Sequence, residues 1–73
     1  MTTEDKIALI VQSLEISGST KINEAKALSE IPEYDSFGQV LIITMLKKQF
    51  SRTITKEEIE GLITVQDILD RMG

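Results

Sequence analysis

Apolar residues recur along this chain at helical spacing, and the two segments of its last third do not alternate with polar residues for long enough to make a strand. Ile7, Ile10, Val11 and Leu14 fall at i, i+3, i+4 and i+7, the buried face of a first helix from about Glu4 to Glu15. Thr2 or Thr3 can cap its start, and Thr2 with Asp5 three places on forms a capping-box pattern with aspartate where glutamate is usual. Ser17-Gly18-Ser19 ends it. Residues 18–35 follow as a long connection with the only proline, Pro32, and scattered apolar anchors at Ile22, Leu28 and Ile31. Connections of this length are uncommon in small domains, and they are usually functional or carry a short helical turn. Such a turn is expected between Ile22 and Ser29.

The second helix is expected from about Ser36 to Phe50, with Asp35 and Ser36 both suited to the N-cap. As the cap, Ser36 would be worth about 1 kcal/mol. At 100° per residue, Ile42, Ile43, Leu46 and Phe50 share one side. Phe37, Val40, Leu41 and Met45 fall on the other. A helix apolar nearly all round is central in its fold or has a partner, so Phe37, Val40 and Leu41 form a candidate docking face. The last third opens with Thr55 and Glu58, followed by Ile59 and Leu62, a short helix closed near Gly61. Thr64 with Asp67 opens a final helix whose inner face is Val65, Ile68, Leu69 and Met72. Three main helices and one short one predict an all-α fold, a small up-and-down bundle.

Leu, Ile, Val and Phe hold 23 of the 73 positions, enough for the chain to fold as one small domain with a modest core. Without cysteine there are no disulfides, zinc–thiolate sites or cysteine nucleophiles, and without histidine the commonest general base is missing. A serine nucleophile would have only lysines or carboxylates to activate it, so the chain reads as a non-enzyme with no catalytic residues. The acidic group Glu57, Glu58 and Glu60 lacks the spacing of a calcium loop and reads as a solvated helix start, so no metal site is expected. The longest apolar run, Val40 to Ile43, is far short of a bilayer span, and the acidic opening Met-Thr-Thr-Glu-Asp is unlike a secretory signal. A cytoplasmic monomer that avoids membranes is the expectation.

The net charge of −4 argues against nucleic-acid binding but hides a pattern. Residues 36–56 hold Lys47, Lys48, Arg52 and Lys56 and no acid, while the stretches on either side each sum to −4. A basic middle between acidic ends either faces an acidic partner or is neutralised within the fold.

Asp35-Ser36 at the start of the second helix, Phe37 after it, Phe50 closing the helix, Ile54, Glu57-Glu58-Ile59-Glu60 and Thr64-Val65-Gln66-Asp67 together carry a likeness. Over essentially the whole chain the sequence resembles the acyl carrier proteins, including the free-standing bacterial type. The resemblance implies that Ser36 is the attachment point for 4′-phosphopantetheine, delivered from coenzyme A by a phosphopantetheinyl transferase. It further implies that acyl groups ride on that arm as thioesters to acyl ligase, synthase or acyltransferase partners of a fatty-acid-like or other lipid-metabolic pathway. Asp35 would then be read by the transferase or help hold Mg²⁺ during transfer. Short or polar cargo is expected to stay outside, because a close-packed core resists added volume.

The chain departs from the family pattern in its second helix. Gly38-Gln39 follows Phe37, Leu41 stands where an acid is common, and Lys47-Lys48 replace an acidic pair. These residues look more like a carrier dedicated to a specialised pathway than the housekeeping fatty-acid carrier, and they leave an aminoacyl or peptidyl cargo open. They also predict docking through Phe37, Val40, Leu41, Lys47 and Lys48 on a partner rimmed by carboxylates. The alternative from a different class is a small helical protein-interaction module in which Ser36 only caps its helix.

Overall fold

Short-range capping starts each helix where the side chains allow it. In this computed structural model, which describes residues 2–16 and 21–72, the elements are α1 (Thr3–Leu14), a 3-10 turn (Leu28–Glu30), α2 (Ser36–Phe50), α3 (Lys56–Glu60) and α4 (Val65–Met72). At α1 the Thr2 hydroxyl accepts from the Asp5 N–H at 3.1 Å and the Asp5 carboxylate accepts from the Thr2 N–H at 3.3 Å. Thr55 and Glu58 repeat the reciprocal pair at α3, at 3.1 and 3.0 Å. At α4 the Asp67 carboxylate accepts from the N–H groups of Ile63 and Thr64, at 2.8 and 3.1 Å. The Thr2 and Thr55 hydroxyls satisfy first-turn donors of their helices, and the Asp67 carboxylate satisfies the two N–H groups that lead into α4.

Two helices stop without glycine. Glu15 after α1 and Ser51 after α2 adopt the left-handed conformation, both with φ of 54°, and their N–H groups bond back to carbonyls of the preceding turn. The expected stop at Ser17-Gly18-Ser19 lies outside the described residues. The helical turn in the long connection forms at Leu28–Glu30, the late end of the expected stretch, and buries Leu28.

The architecture is a small all-α bundle with α2 at its centre, packed against α1, α3 and α4. Among the described residues the only β pairing is an isolated bridge between Ala27 and Thr64. The core joins Ile10 and Leu14 of α1, Ile42, Met45 and Leu46 of α2, Ile59 of α3, and Val65, Ile68, Leu69 and Met72 of α4. An eight-residue helix is marginal alone in water. α4 is held by burying those four side chains, each worth roughly 1.5–3 kcal/mol when fully buried.

One expectation about α2 is corrected. The helical wheel groups Met45 with Phe37, Val40 and Leu41, but Met45 is buried, and Gly38, Ile42, Met45 and Leu46 form the inward face. The reason is the position of α1, which lies along the Leu41–Met45 side and shifts the buried sector around the helix. Ile43 and Phe50 are only half-buried in consequence.

The α4 cap has a pH signature. Hydrogen bonds from the Ile63 and Thr64 N–H groups hold the Asp67 carboxyl below the usual aspartate range. The ionised form is thus favoured by folding. Its stabilisation is complete above the unfolded value of about 3.9 and is lost as pH falls through the lower folded value. Asp67→Asn should lower the melting temperature at neutral pH and flatten its decline below about pH 4. Circular dichroism melts across pH 2 to 7 measure both effects, and an unchanged acid slope would contradict this role.

Candidate functional site

Ser36 stands at the end of a chain of tertiary contacts that begins in the long connection. The Leu28 N–H donates to the Ile63 carbonyl at 2.8 Å, while the N–H groups of Val65 and Gln66 donate to the carbonyls of Lys26 and Glu24, both at 2.9 Å. The connection is thereby laced to the start of α4, and its anchors Leu28 and Ile31 are buried, each 2% exposed. From Ile31 the chain turns tightly, with the Tyr34 N–H donating to the Ile31 carbonyl at 3.0 Å. The Tyr34 hydroxyl then donates to the Ile59 carbonyl at 3.3 Å, tying this turn to α3.

Asp35, the next residue, is the N-cap of α2. Its Oδ1 accepts from the Gly38 N–H at 2.9 Å, and its carbonyl accepts from the Gln39 N–H at 2.9 Å. Of the two residues suited to the N-cap, the structure uses Asp35, and the alternative of Ser36 as the cap is corrected here. Ser36 is the first helical residue, it is exposed, and its hydroxyl makes no hydrogen bond among the described residues. The acidic side chain, one position earlier, has taken the capping role and left the hydroxyl exposed beside the free N–H groups of the first turn.

Gly38 makes this arrangement sterically possible. A glycine inside a helix ordinarily costs about 1 kcal/mol relative to alanine. Here it is buried beneath the incoming chain, and a Cβ would fall on the Glu33 carbonyl oxygen and meet Leu14 Cδ2 at 3.1 Å. Neither Gly38 nor Tyr34 was singled out as a functional residue from the sequence. A glycine inside an apolar helical pattern was the available signal, since such a residue often marks close approach of another backbone.

The candidate docking residues are split by the fold. Phe37 is 69% exposed and Val40 is 49% exposed, whereas Leu41 is half-buried and packs against the core. Lys47 and Lys48 are exposed toward the far end of α2. The proposal that the basic middle is neutralised within the fold finds no support in the ion pairs. Among the described residues the single salt bridge joins Arg71 to Glu58 at 2.9 Å, and none of Lys47, Lys48, Arg52 or Lys56 takes part in one. Glu58 is held below the usual glutamate range, first by the Thr55 backbone N–H and then by Arg71. The described residues contain no group of three acids placed to hold a metal ion, and no helix long and apolar enough to cross a membrane.

No protein-family model matches the chain, and no curated protein or solved structure matches it.

Two measurements test this geometry. Gly38→Ala should destabilise the protein by about 1–3 kcal/mol despite the better helix propensity of alanine, because the obstructing atom is backbone. Urea denaturation should register the loss, and backbone amide shifts should move from Glu33 to Ser36. Burial pushes the Tyr34 phenol up to about 12. The neutral form is favoured by folding, so its contribution is complete below the unfolded value of about 10 and is lost as pH rises through the folded value. With one tyrosine and no tryptophan in the chain, tyrosinate absorbance reports this group alone. Its midpoint should lie near 12 in native protein and near 10 in urea; a native midpoint near 10 with helicity intact would be the contrary result.

Proposed function

We propose that this chain is an acyl carrier in which Ser36 bears 4′-phosphopantetheine. The observation that carries the reading is the division of labour at the start of α2: Asp35 caps the helix and Ser36 presents an exposed hydroxyl with no hydrogen bond among the described residues. A serine needed only as a cap would be expected to bond the first-turn N–H groups, and here that task belongs to its neighbour.

The residues present fit the group. A phosphodiester on Ser36 Oγ would sit at a helix N-terminus, where the free N–H groups and the positive end of the helix dipole favour a phosphate. The 15-residue α2 and the Tyr34 tie to α3 hold that hydroxyl on a rigid element. Asp35 contributes through the cap, although its carboxylate also remains near enough in sequence to be read by a transferase or to help hold Mg²⁺ during loading. The prosthetic group supplies the thiol, and so the thioester chemistry, that a cysteine-free chain lacks.

The chain's own part is therefore position and address, not bond-making. Loading requires a phosphopantetheinyl transferase: the Ser36 hydroxyl loses its proton and bonds the phosphopantetheine phosphorus as the pyrophosphate bond of coenzyme A breaks, and adenosine 3′,5′-bisphosphate leaves. Acyl ligase, synthase or acyltransferase enzymes of a fatty-acid-like or specialised pathway then act on the carried group. A cytoplasmic setting, where coenzyme A and such enzymes work, completes the proposal. An aminoacyl cargo uses the same attachment chemistry.

Incubation with coenzyme A and a broad-specificity phosphopantetheinyl transferase, followed by intact mass measurement, tests the proposal. One covalent addition is expected. Ser36→Ala should abolish it while changing stability by less than about 0.5 kcal/mol, as for a surface position without a capping role. Absence of any addition with several transferases would overturn the carrier function in favour of a helical interaction module.

A further inference from the structure

A recess of about 210 Å³ lies between the segment that follows α2 and the end of α4, lined by Leu46, Arg52, Thr53, Ile54, Asp70 and Arg71. Ten residues of α2 separate Leu46 from Ser36, about 15 Å at 1.5 Å per residue, so the recess is remote from that hydroxyl. Leu46 and Ile54 are buried. Arg52 is exposed and takes part in no salt bridge. Arg71 gives Nη1 to Glu58 at 2.9 Å, and its Nε and Nη2 have no partner among the described residues. The Thr53 hydroxyl makes no hydrogen bond among the described residues, and neither do the N–H groups of Thr53 and Ile54. Ile54 is 4% exposed, and a backbone N–H in so buried a residue is nearly always paired.

We infer that this recess is a binding site for inorganic phosphate, taken up as hydrogen phosphate, with Arg52, Arg71, Thr53 and the Ile54 N–H as donors and Asp70 as the acceptor for its proton. Guanidinium groups match the oxygens of a phosphate in charge and geometry. The hydroxyl and the N–H add neutral donors that the fold has not used. Asp70 decides which anion enters. Its Oδ1 accepts from the Gln66 amide at 2.8 Å, and its Oδ2 has no partner among the described residues. A carboxylate repels an anion unless that anion has a hydrogen to donate. Hydrogen phosphate keeps one at neutral pH, whereas sulfate and carboxylates have none.

Other ligands fit less well. A metal cation would meet two guanidinium groups, and the described residues hold no group of three acids placed to bind one. A phosphate monoester loses its last proton near about pH 6, so above neutrality it would face Asp70 with no hydrogen to donate. Bound hydrogen phosphate would join the segment after α2 to the end of α4, and it would stabilise the folded chain in proportion to its occupancy. The site needs no group on Ser36 and stands apart from the carrier reading.

The test is a titration of the unmodified protein with sodium phosphate at about pH 7.5, followed by backbone amide resonances, with sodium chloride holding the ionic strength constant. Sodium sulfate and phenyl phosphate are titrated in parallel. Phosphate should give saturable shifts at Arg52, Thr53, Ile54 and Arg71 and raise the melting temperature, and the other two anions should bind at least about tenfold more weakly. Arg52→Gln alters an exposed side chain without a salt bridge, so helicity should be kept while phosphate binding falls at least about tenfold. In Asp70→Asn the new amide can donate to an anion, and sulfate should then bind as well as phosphate. Absence of saturable shifts, undiminished binding to Arg52→Gln, equal affinity for sulfate in the unmodified protein, or a phosphate preference that persists in Asp70→Asn would overturn the inference. Tighter binding of phenyl phosphate than of phosphate would assign the recess to a phosphate ester and overturn it equally.

Discussion

The hydrogen bonds between the long connection and the start of α4 are the constraint on which the rest of the molecule depends. Residues 21–35 contain too few apolar anchors to order themselves, and an ordered residue costs about 1–2 kcal/mol in backbone entropy alone. The carbonyls of Glu24, Lys26 and Ile63 and the N–H groups of Leu28, Val65 and Gln66 solve two problems together. They give α4 partners for first-turn donors that would otherwise go unsatisfied, and they hold the connection against the bundle so that Leu28 and Ile31 can be buried. Neither segment is well ordered by its own sequence. Each supplies what the other lacks.

That lacing sets the path of the chain into α2. Once Ile31 is fixed, the turn through Tyr34 bonds to α3, the Glu33 carbonyl presses on Gly38, and Asp35 reaches its capping position. Ser36 inherits a defined place without a side-chain hydrogen bond among the described residues. A residue held in position by its neighbours, yet left free of them chemically, is suited to carry a covalent group.

The centre of the fold and its outer face place opposing demands on α2. Packing against α1, α3 and α4 makes it apolar on most sides, which gives a small domain its core. The sector not covered by other helices still carries Phe37 and Val40, and it ends in lysines that have no acidic partner in the described fold. Cations in the last turn of a helix are stabilised by its dipole, so Lys47 and Lys48 cost the fold little while remaining available to a partner. The exposed apolar pair has no such local justification.

Local information determined much of this protein. The capping pairs Thr2–Asp5 and Thr55–Glu58, the span Ser36–Phe50, and the inner face of α4 are all interactions within a few residues, and they are readable because capping and helical periodicity act at that range. The Asp35-Ser36 start of α2 was equally visible, but which of the two residues caps could not be read, since both side chains are competent. Tertiary structure made that choice by bringing the chain over Gly38 at an angle that aims Asp35 at the Gly38 N–H. It also turned Met45 inward by placing α1 on that side, opened a cleft between Leu9 and Leu41, and paired Lys26 with Val65 across 39 positions of sequence. These outcomes depend on where whole helices lie relative to one another, and no pattern confined to one helix contains that information.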